Sequence, residues 1–123
     1  MLFRLAIVLL GAVSLLPAAD PNLLKAAKAK VEAGQFDAAV ALLEPAFNAR
    51  KHDRELRRAL SETYVAYGDH YMHNPQMPVF MKQPNALRYY KLAVAYDQTN
   101  REAQRKVESM QAVSKAAEKS RKK

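Results

Sequence analysis

The sequence predicts an all-α fold made of two helical hairpins followed by one further helix. One observation is that apolar residues recur with the spacing of amphipathic helices, and Gly or Pro separates these segments. The other two observations are fixed offsets at which similar residues recur. An offset of 34 residues relates Ala27, Lys30 and Gly34 to Ser61, Tyr64 and Gly68. An offset of 47 residues relates Ala39, Leu43 and Ala46 to Ala86, Tyr90 and Ala93. A two-helix unit therefore occurs twice, and its second copy holds 13 additional residues (47 minus 34).

The composition indicates one small domain with a basic surface. The chain has 123 residues, 50% of them hydrophobic, and a net charge of +8. A basic chain favours anionic partners such as nucleic acid, phospholipid headgroups or acidic polymers, and charge alone does not choose among them. Cysteine is absent, which excludes disulfides, thiol chemistry, Cys-ligated metals and the lipid anchor of a lipoprotein.

Residues 1–19 have the organisation of a secretory signal peptide. Arg4 is followed by an apolar segment from Leu5 to Leu16 and then by Pro-Ala-Ala. The uncharged stretch is shorter than the roughly 20 residues that a membrane-spanning helix needs. We therefore predict that the protein is exported, to the periplasm of a bacterium. The alternative is an uncleaved N-terminal anchor.

The first hairpin is predicted from its capping and turn residues. Asp20 is suited to the N-cap of a first helix over 23–33, because a carboxylate accepts bonds from free amide groups there. Gly34 ends this helix, since glycine turns the backbone without steric cost. Asp37 is predicted to cap the second helix, over 38–49.

Three more helices follow the first hairpin. The third is predicted over 54–71. Residues 73–84 contain three prolines, which predict a non-helical connection. The fourth helix is predicted over 85–96, and a turn at 97–100 leads to a polar fifth helix over 101–119.

The repeated positions resemble the tetratricopeptide repeat (TPR) family, whose unit is a helical hairpin of 34 residues. Leu60-Ser61-x-x-Tyr64 matches the core of the family's first helix, with Arg57 at the aromatic position. Ala39-x3-Leu43 and Ala86-x3-Tyr90 match its second helix, and Gly34 and Gly68 match the turn between helices. The residues assigned to packing within the repeats are Ala27, Gly34, Ala39, Ala46, Ser61, Tyr64, Gly68, Ala86, Tyr90 and Ala93.

The resemblance implies a short right-handed solenoid of antiparallel hairpins, with about two repeats and a C-terminal capping helix. The first hairpin would occupy 20–53, and the second 54–100 with an insertion near 69–84. The capping helix and a basic tail would occupy 101–123, because Glu108 stands where a further hairpin needs a small residue. Since solenoids usually need at least three repeats, self-association or a bound partner is expected.

The resemblance also implies a concave groove for an extended peptide or a partner helix. Its residues would be Leu24, Lys28, Val31, Arg58, Glu62, Val65, Arg105 and Ser109. Lys28, Arg58 and Arg105 predict a mildly basic groove that favours an acidic segment or a C-terminal carboxylate. The alternative is an ordinary solvated face.

The insertion is unusually apolar for an exposed loop. We favour the interpretation that Phe80 folds back onto the hairpin and fills the place that Phe36 takes in the first unit. The alternative is a docking loop for a partner, formed by Met77, Phe80 and Met81, because Met adapts to varied contact surfaces.

No residue pattern indicates catalysis, a metal or a cofactor. His70 and His73 are three residues apart, but a metal would need a third ligand, and two neighbouring surface histidines are the simpler interpretation. The serines, aspartates and histidines show no catalytic arrangement. We predict that the protein is not an enzyme.

Two functions follow as predictions. The first is a protein–protein interaction module or adaptor of the bacterial cell envelope, which binds another protein or peptide. The alternative is a basic anion-binding protein at a membrane surface or an acidic envelope polymer. Its tail would supply charge through Lys115, Lys119, Arg121, Lys122 and Lys123. Nucleic acid is not an expected partner, because export and the absence of a recognition motif oppose it.

Overall fold

The computed structural model describes residues 20–122, which form five α-helices and no strand. They are α1 Pro21–Glu32, α2 Phe36–Ala49, α3 Arg54–Met72, α4 Val79–Tyr96 and α5 Arg101–Arg121. The all-α prediction is confirmed. The predicted signal peptide, residues 1–19, lies outside the described residues. Within 20–122, no helix combines the length and the apolar character needed to cross a bilayer.

Three helices begin at side-chain caps. Asp20 Oδ1 accepts a 2.9 Å hydrogen bond from the backbone N–H of Asn22 at the start of α1. Asp53 does the same for two amide groups of α3, at 2.9 and 3.2 Å. Asn100 accepts from the N–H of Ala103 at 3.1 Å. These bonds satisfy amide groups that the first turn of a helix leaves free.

The α1–α2 connection confirms one prediction and corrects another. Gly34 has a φ of 77°, as expected for the residue that turns the chain after a helix. Asp37, however, is not the N-cap of α2, because the helix begins at Phe36 and Gln35 occupies the cap. Asp37 lies in the first turn, where its carboxylate accepts a 3.0 Å bond from the Tyr67 hydroxyl. The Asp37 carboxylate is therefore bonded to a side chain of α3 and does not cap its own helix.

The core lies between successive helices. Each helix packs against the next one, and α1 also contacts α3. The most completely buried large side chains, Leu43, Leu56 and Leu60, belong to α2 and α3. Small residues lie where helices cross: Ala27, Ala39, Ala86, Ala93 and Ala103 are almost inaccessible to solvent. Among the predicted packing residues, Gly34 is exposed in its turn and Ala46 is half-buried.

The additional residues of the second hairpin lengthen its helices. The paired helices have 19 and 18 residues in this hairpin, against 12 and 14 in the first. The prediction of a non-helical segment over 73–84 is therefore only partly right, because α4 begins at Val79. Pro84 lies within α4, and the Asn85 side-chain amide donates to the Met81 carbonyl at 2.7 Å. This bond satisfies a carbonyl in the turn that proline perturbs.

Gly68 is not a turn residue, which corrects the position implied by the family pattern. It is buried inside α3. A Cβ atom there would lie 2.6 Å from Cε1 of the Tyr90 ring, which is shorter than a van der Waals contact. The glycine is needed because the α4 ring presses against the α3 backbone. Nearby, the buried Ser61 hydroxyl donates to the Ala93 carbonyl at 2.7 Å and joins the same two helices.

The last part of α5 contributes no buried residue to the core that residues 20–122 form. Its first half contributes the buried Ala103 and the half-buried Val107 and Met110 to the core. Every residue from 111 to 122 is exposed, as is Glu108. Helical structure nevertheless continues to Arg121, so the helix projects beyond the packed hairpins.

Candidate functional site: two grooves between the helices

The first groove is a cavity of about 520 Å³ between α1 and α3. Its floor is formed mainly by small or apolar side chains: Ala27, Leu43, Ala59 and Thr63. Five of the eight predicted groove residues line it: Leu24, Lys28, Val31, Arg58 and Glu62. An apolar floor beneath charged side chains is the usual chemistry of a site that anchors an apolar group and orients polar ones.

The charge of the first groove differs from the prediction. Glu32, Glu55 and Glu62 line it together with only two cations, Lys28 and Arg58. Arg58 is also 3.6 Å from Glu62, in a largely exposed pair that contributes little stability. The groove therefore carries one more carboxylate than cation, and the expectation of a mildly basic groove is wrong here. Two of the three carboxylates, those of Glu32 and Glu55, come from helix positions that the family pattern does not assign to the groove.

Val65 does not line either groove. Its exposed fraction is 5%, and its side chain belongs to the core.

The second groove, of about 510 Å³, lies between α3 and α5. Arg105 and Ser109, the remaining predicted residues, line it with Met72, Met110 and a charged network. The predicted site is therefore divided into two cavities. Neither of these two cavities is lined by all eight residues.

A hydrogen-bonded network in the second groove centres on Asp69. Its Oδ1 accepts bonds from the Tyr90 hydroxyl at 2.6 Å and from Lys106 Nζ at 2.5 Å. Lys106 is also 3.3 Å from Glu102. Burial, and then the bond to Asp69, raise the pKa of Tyr90. Burial alone would lower the pKa of Lys106, but its bonds to the two carboxylates outweigh burial and raise it.

This network was missed by sequence reasoning, which assigned Tyr90 to packing alone. Asp69 and Lys106 are 37 positions apart, and no motif relates them. The repeat pairs Tyr90 with Leu43, an apolar residue, and so gave no sign of the network. The network links α3, α4 and α5.

A stack of aromatic rings lies at the α3–α4 interface. The Tyr67 and Tyr89 ring centroids are 4.0 Å apart, and the Phe36 ring also stacks on Tyr67, with a centroid distance of 4.9 Å. Hydrogen bonding to Tyr89, burial and the Asp37 carboxylate raise the pKa of Tyr67. The stack joins the two hairpins, because Phe36 belongs to α2 whereas Tyr67 and Tyr89 belong to α3 and α4.

Phe80 does not pack back onto the hairpin, so the favoured interpretation of the insertion is wrong. Its exposed fraction is 77%, and those of Val79 and Met81 are 68% and 44%. Met77 differs, because it is half-buried and borders a cavity beside Phe36. The interpretation as a docking loop for a partner stays a prediction.

The two histidines have separate environments. The His70 ring lies 5.3 Å from the Phe36 ring. His73 Nδ1 is 2.8 Å from the Asp69 carbonyl oxygen. Among residues 20–122, no three His, Asp or Glu side chains are grouped so that they could hold a metal ion.

Comparison with known proteins adds no identification. No family model, no curated protein and no solved structure matches this chain.

Proposed function

We propose that this chain is a non-enzymatic protein-interaction module in which two TPR-like hairpins and a capping helix form a short right-handed solenoid. The first groove receives a short segment of a partner protein. The observation that carries this proposal is the apolar-floored cavity between α1 and α3, lined by five residues that the repeat pattern assigned to ligand binding.

The chemistry of the groove selects the kind of partner segment. Leu24, Val31 and Leu43 suit one or two aliphatic side chains. Because carboxylates outnumber cations at the rim, a segment with Lys or Arg beside its apolar anchors is favoured over an acidic one. The segment is therefore a basic amphipathic helix or strand-like peptide of another protein.

The test is selection from a library of displayed random peptides. We expect enrichment of peptides that combine aliphatic and basic residues. The variant Ala59→Phe fills the floor of the groove without changing charge and should lose these peptides. Ala41→Phe, at an exposed position of α2, is the matched control and should keep them.

Two outcomes would reject the groove as the binding site. One is that the selected peptides bind Ala59→Phe as tightly as they bind the unmodified protein. The other is that no peptide is enriched. A further variant, Glu55→Lys, should reduce binding of basic peptides about tenfold, or ~1.4 kcal/mol, because it replaces a favourable charge contact with a repulsive one.

Export to a bacterial cell envelope belongs to the same proposal and rests on the pattern of residues 1–19. Sequencing the N-terminus of the protein from its native cells tests it. A new N-terminus near Asp20 supports cleavage, an intact Met1 in the membrane fraction supports the anchor, and an intact Met1 in the cytosol contradicts both.

A second candidate function rests on the exposed end of the second hairpin. Val79, Phe80, Met81 and Val113 are exposed there, and Phe80 and Ser114 border the same cavity. The adjacent segments carry five cations and one carboxylate: Lys82, Lys115, Lys119, Arg121, Lys122 and Glu118. Exposed apolar groups beside cations fit the surface of an anionic bilayer.

Sedimentation with vesicles of anionic phospholipid tests this candidate. We expect binding that falls with salt and with Phe80→Ser, and no binding to neutral vesicles. Equal binding by Phe80→Ser and the unmodified protein would show that apolar contact is not involved. Binding only to a soluble acidic polymer would favour the polymer in place of the bilayer.

A further inference from the structure

A third cavity, of about 720 Å³, shares Arg58 with the first groove and no lining residue with the second. It forms where the start of α3 meets the end of α2 and the turn between α4 and α5. Arg54, Arg57 and Arg58 line one side, and Phe47, Tyr96 and Asp97 lie among the residues of the other. The spacing of the arginines, three and four residues apart, places all three on one face of α3.

The cavity contains too few carboxylates for its cations. Asp97 is the single acidic residue among those that line it. One of its oxygens already accepts bonds from the Thr99 backbone N–H at 3.0 Å and hydroxyl at 2.6 Å. These bonds, opposed by burial and assisted by Arg57 and Arg58, lower the pKa of Asp97. The Asp97 carboxylate therefore stabilises the turn at 97–99, and the residues that line the cavity still carry more positive than negative charge.

Arg57 has an unmet hydrogen-bonding requirement in this cavity. Among residues 20–122, its Nε is the one buried side-chain nitrogen or oxygen without a hydrogen-bond partner. A buried donor without an acceptor is destabilising, and so are like charges three or four residues apart on a helix. Both costs disappear when an anion with several acceptor oxygens enters the cavity.

We propose that this cavity is an oxyanion-binding site that takes a phosphate or carboxylate group. The guanidinium of Arg57 is the central donor, because its planar fork presents two parallel N–H groups to such an anion. Arg54 and Arg58 supply further positive charge. The Phe47 and Tyr96 rings, 5.3 Å apart and edge to face, form an apolar wall that suits a small organic anion as well as inorganic phosphate.

The test is isothermal titration calorimetry of the full chain with inorganic phosphate in one arm and succinate in the other. We expect saturable binding of at least one of them. Arg57→Lys keeps the charge but loses the planar fork and should weaken binding about tenfold or more. Arg101→Met removes a whole unit of charge at an exposed position outside the cavity and should still have little effect.

Thermal unfolding provides an independent measurement. Phosphate stabilises many proteins without binding a site, so the comparison is the rise in Tm with phosphate in the unmodified protein, in Arg57→Met and in Arg101→Met. A site-bound anion raises Tm further by mass action, and this additional rise should be lost only in Arg57→Met. If that variant does not fold, Arg54→Met takes its place.

The outcomes are decisive in both directions. Binding of phosphate alone identifies a phosphate site, and binding of succinate alone identifies a carboxylate site. Absence of binding in both arms overturns the proposal. It is also overturned if Arg57→Lys binds as tightly as the unmodified protein, or if all three proteins gain the same Tm with phosphate.

Discussion

The two hairpins share a residue pattern, yet they contribute unequal numbers of buried residues and contacts to the core. In the first hairpin, α1 contributes one fully buried side chain, Ala27. In the second, α3 alone buries seven residues, among them Leu56 and Leu60. The second hairpin also has the Ser61–Ala93 hydrogen bond and the tyrosine stack. Its first helix is seven residues longer (19 minus 12), or about 10 Å at 1.5 Å per residue.

This difference separates the roles of repeat and insertion. The repeated small residues bring helices close together in both units. The inserted residues lengthen the helices of the second unit only. They include Phe80 and Asp69, the residue at the centre of the network in the second groove. We infer that the second hairpin contributes most of the free energy of unfolding. Helix α1 contributes less, and it forms one wall of the first groove.

The largest difference between the hairpins should appear on truncation of a core leucine. Leu60 is completely buried in α3, so Leu60→Ala should reduce the free energy of unfolding by about 2–5 kcal/mol. Leu24 is half-buried in α1, so Leu24→Ala should reduce the free energy of unfolding by only about 1 kcal/mol. Urea denaturation measures both values. Equal losses would contradict the unequal weight of the two hairpins.

The next largest effect concerns the two aligned glycines. Gly68→Ala places a methyl group against the Tyr90 ring, and overpacking of this kind costs about 1–3 kcal/mol. Gly34→Ala has free space but a φ of 77°, which costs about 1 kcal/mol. Asparagine distinguishes the two causes, because it tolerates positive φ. Gly34→Asn should be milder than Gly34→Ala, whereas Gly68→Asn should be worse than Gly68→Ala; the reverse order would refute these reasons.

A smaller effect is expected at the hydroxyl that joins α3 to α4. Ser61→Ala removes the bond to the Ala93 carbonyl and the acceptor for Asn100, which donates to Ser61 Oγ at 2.8 Å. The loss should be about 1 kcal/mol in thermal or urea unfolding. Ser109→Ala, at an exposed position of α5, is the control and should be neutral. A neutral Ser61→Ala would show that the bond does not stabilise the crossing.

The last effect is absent at neutral pH and appears in alkali. Five tyrosines of the second hairpin have a raised pKa: Tyr64, Tyr67, Tyr71, Tyr90 and Tyr96. Their neutral forms stabilise the folded state, and this contribution is complete below the unfolded value of 10.0. It is lost as pH rises above 10.0 towards the folded pKa values.

Urea denaturation at neutral pH and above 10.0 measures this loss, and tyrosinate absorbance shows which state ionises. Tyr67→Phe removes a phenol with a raised pKa and should make stability less dependent on alkaline pH. An unchanged dependence in that variant would contradict a role for Tyr67. A free energy of unfolding that does not fall above pH 10.0 would contradict the role of the whole cluster.

Sequence reasoning succeeded where neighbours in the chain decide the structure. The cap at Asp20 and the turn at Gly34 depend on groups within a few residues. It failed where a local signal competed with a distant partner. Asp37 looked like a cap but accepts a bond from Tyr67, and Pro84 looked like a helix breaker but lies within α4. Gly68 looked like a turn residue because it aligns with Gly34. Its actual role depends on Tyr90, which is 22 positions away in the chain.

The candidate sites show the same contrast between features that nearby residues decide and features that distant residues decide. The family resemblance located five of the eleven residues that line the first groove. It could not give the groove's charge, since that depends on which carboxylates of two helices face the same space. The cavity around Arg57 was not found at all, because its lining comes from three segments that no motif connects.

The sequence by itself determined that this protein is all-α, that a helical hairpin occurs twice, and where the first hairpin begins and turns. These features depend on helical period, capping and backbone freedom, which act over a few residues. Only the tertiary structure decided that the inserted residues extend α3 and α4, that Phe80 is exposed, and that Asp69 joins Tyr90 to Lys106. Those outcomes depend on packing between residues far apart in the chain, for which local patterns carry no information.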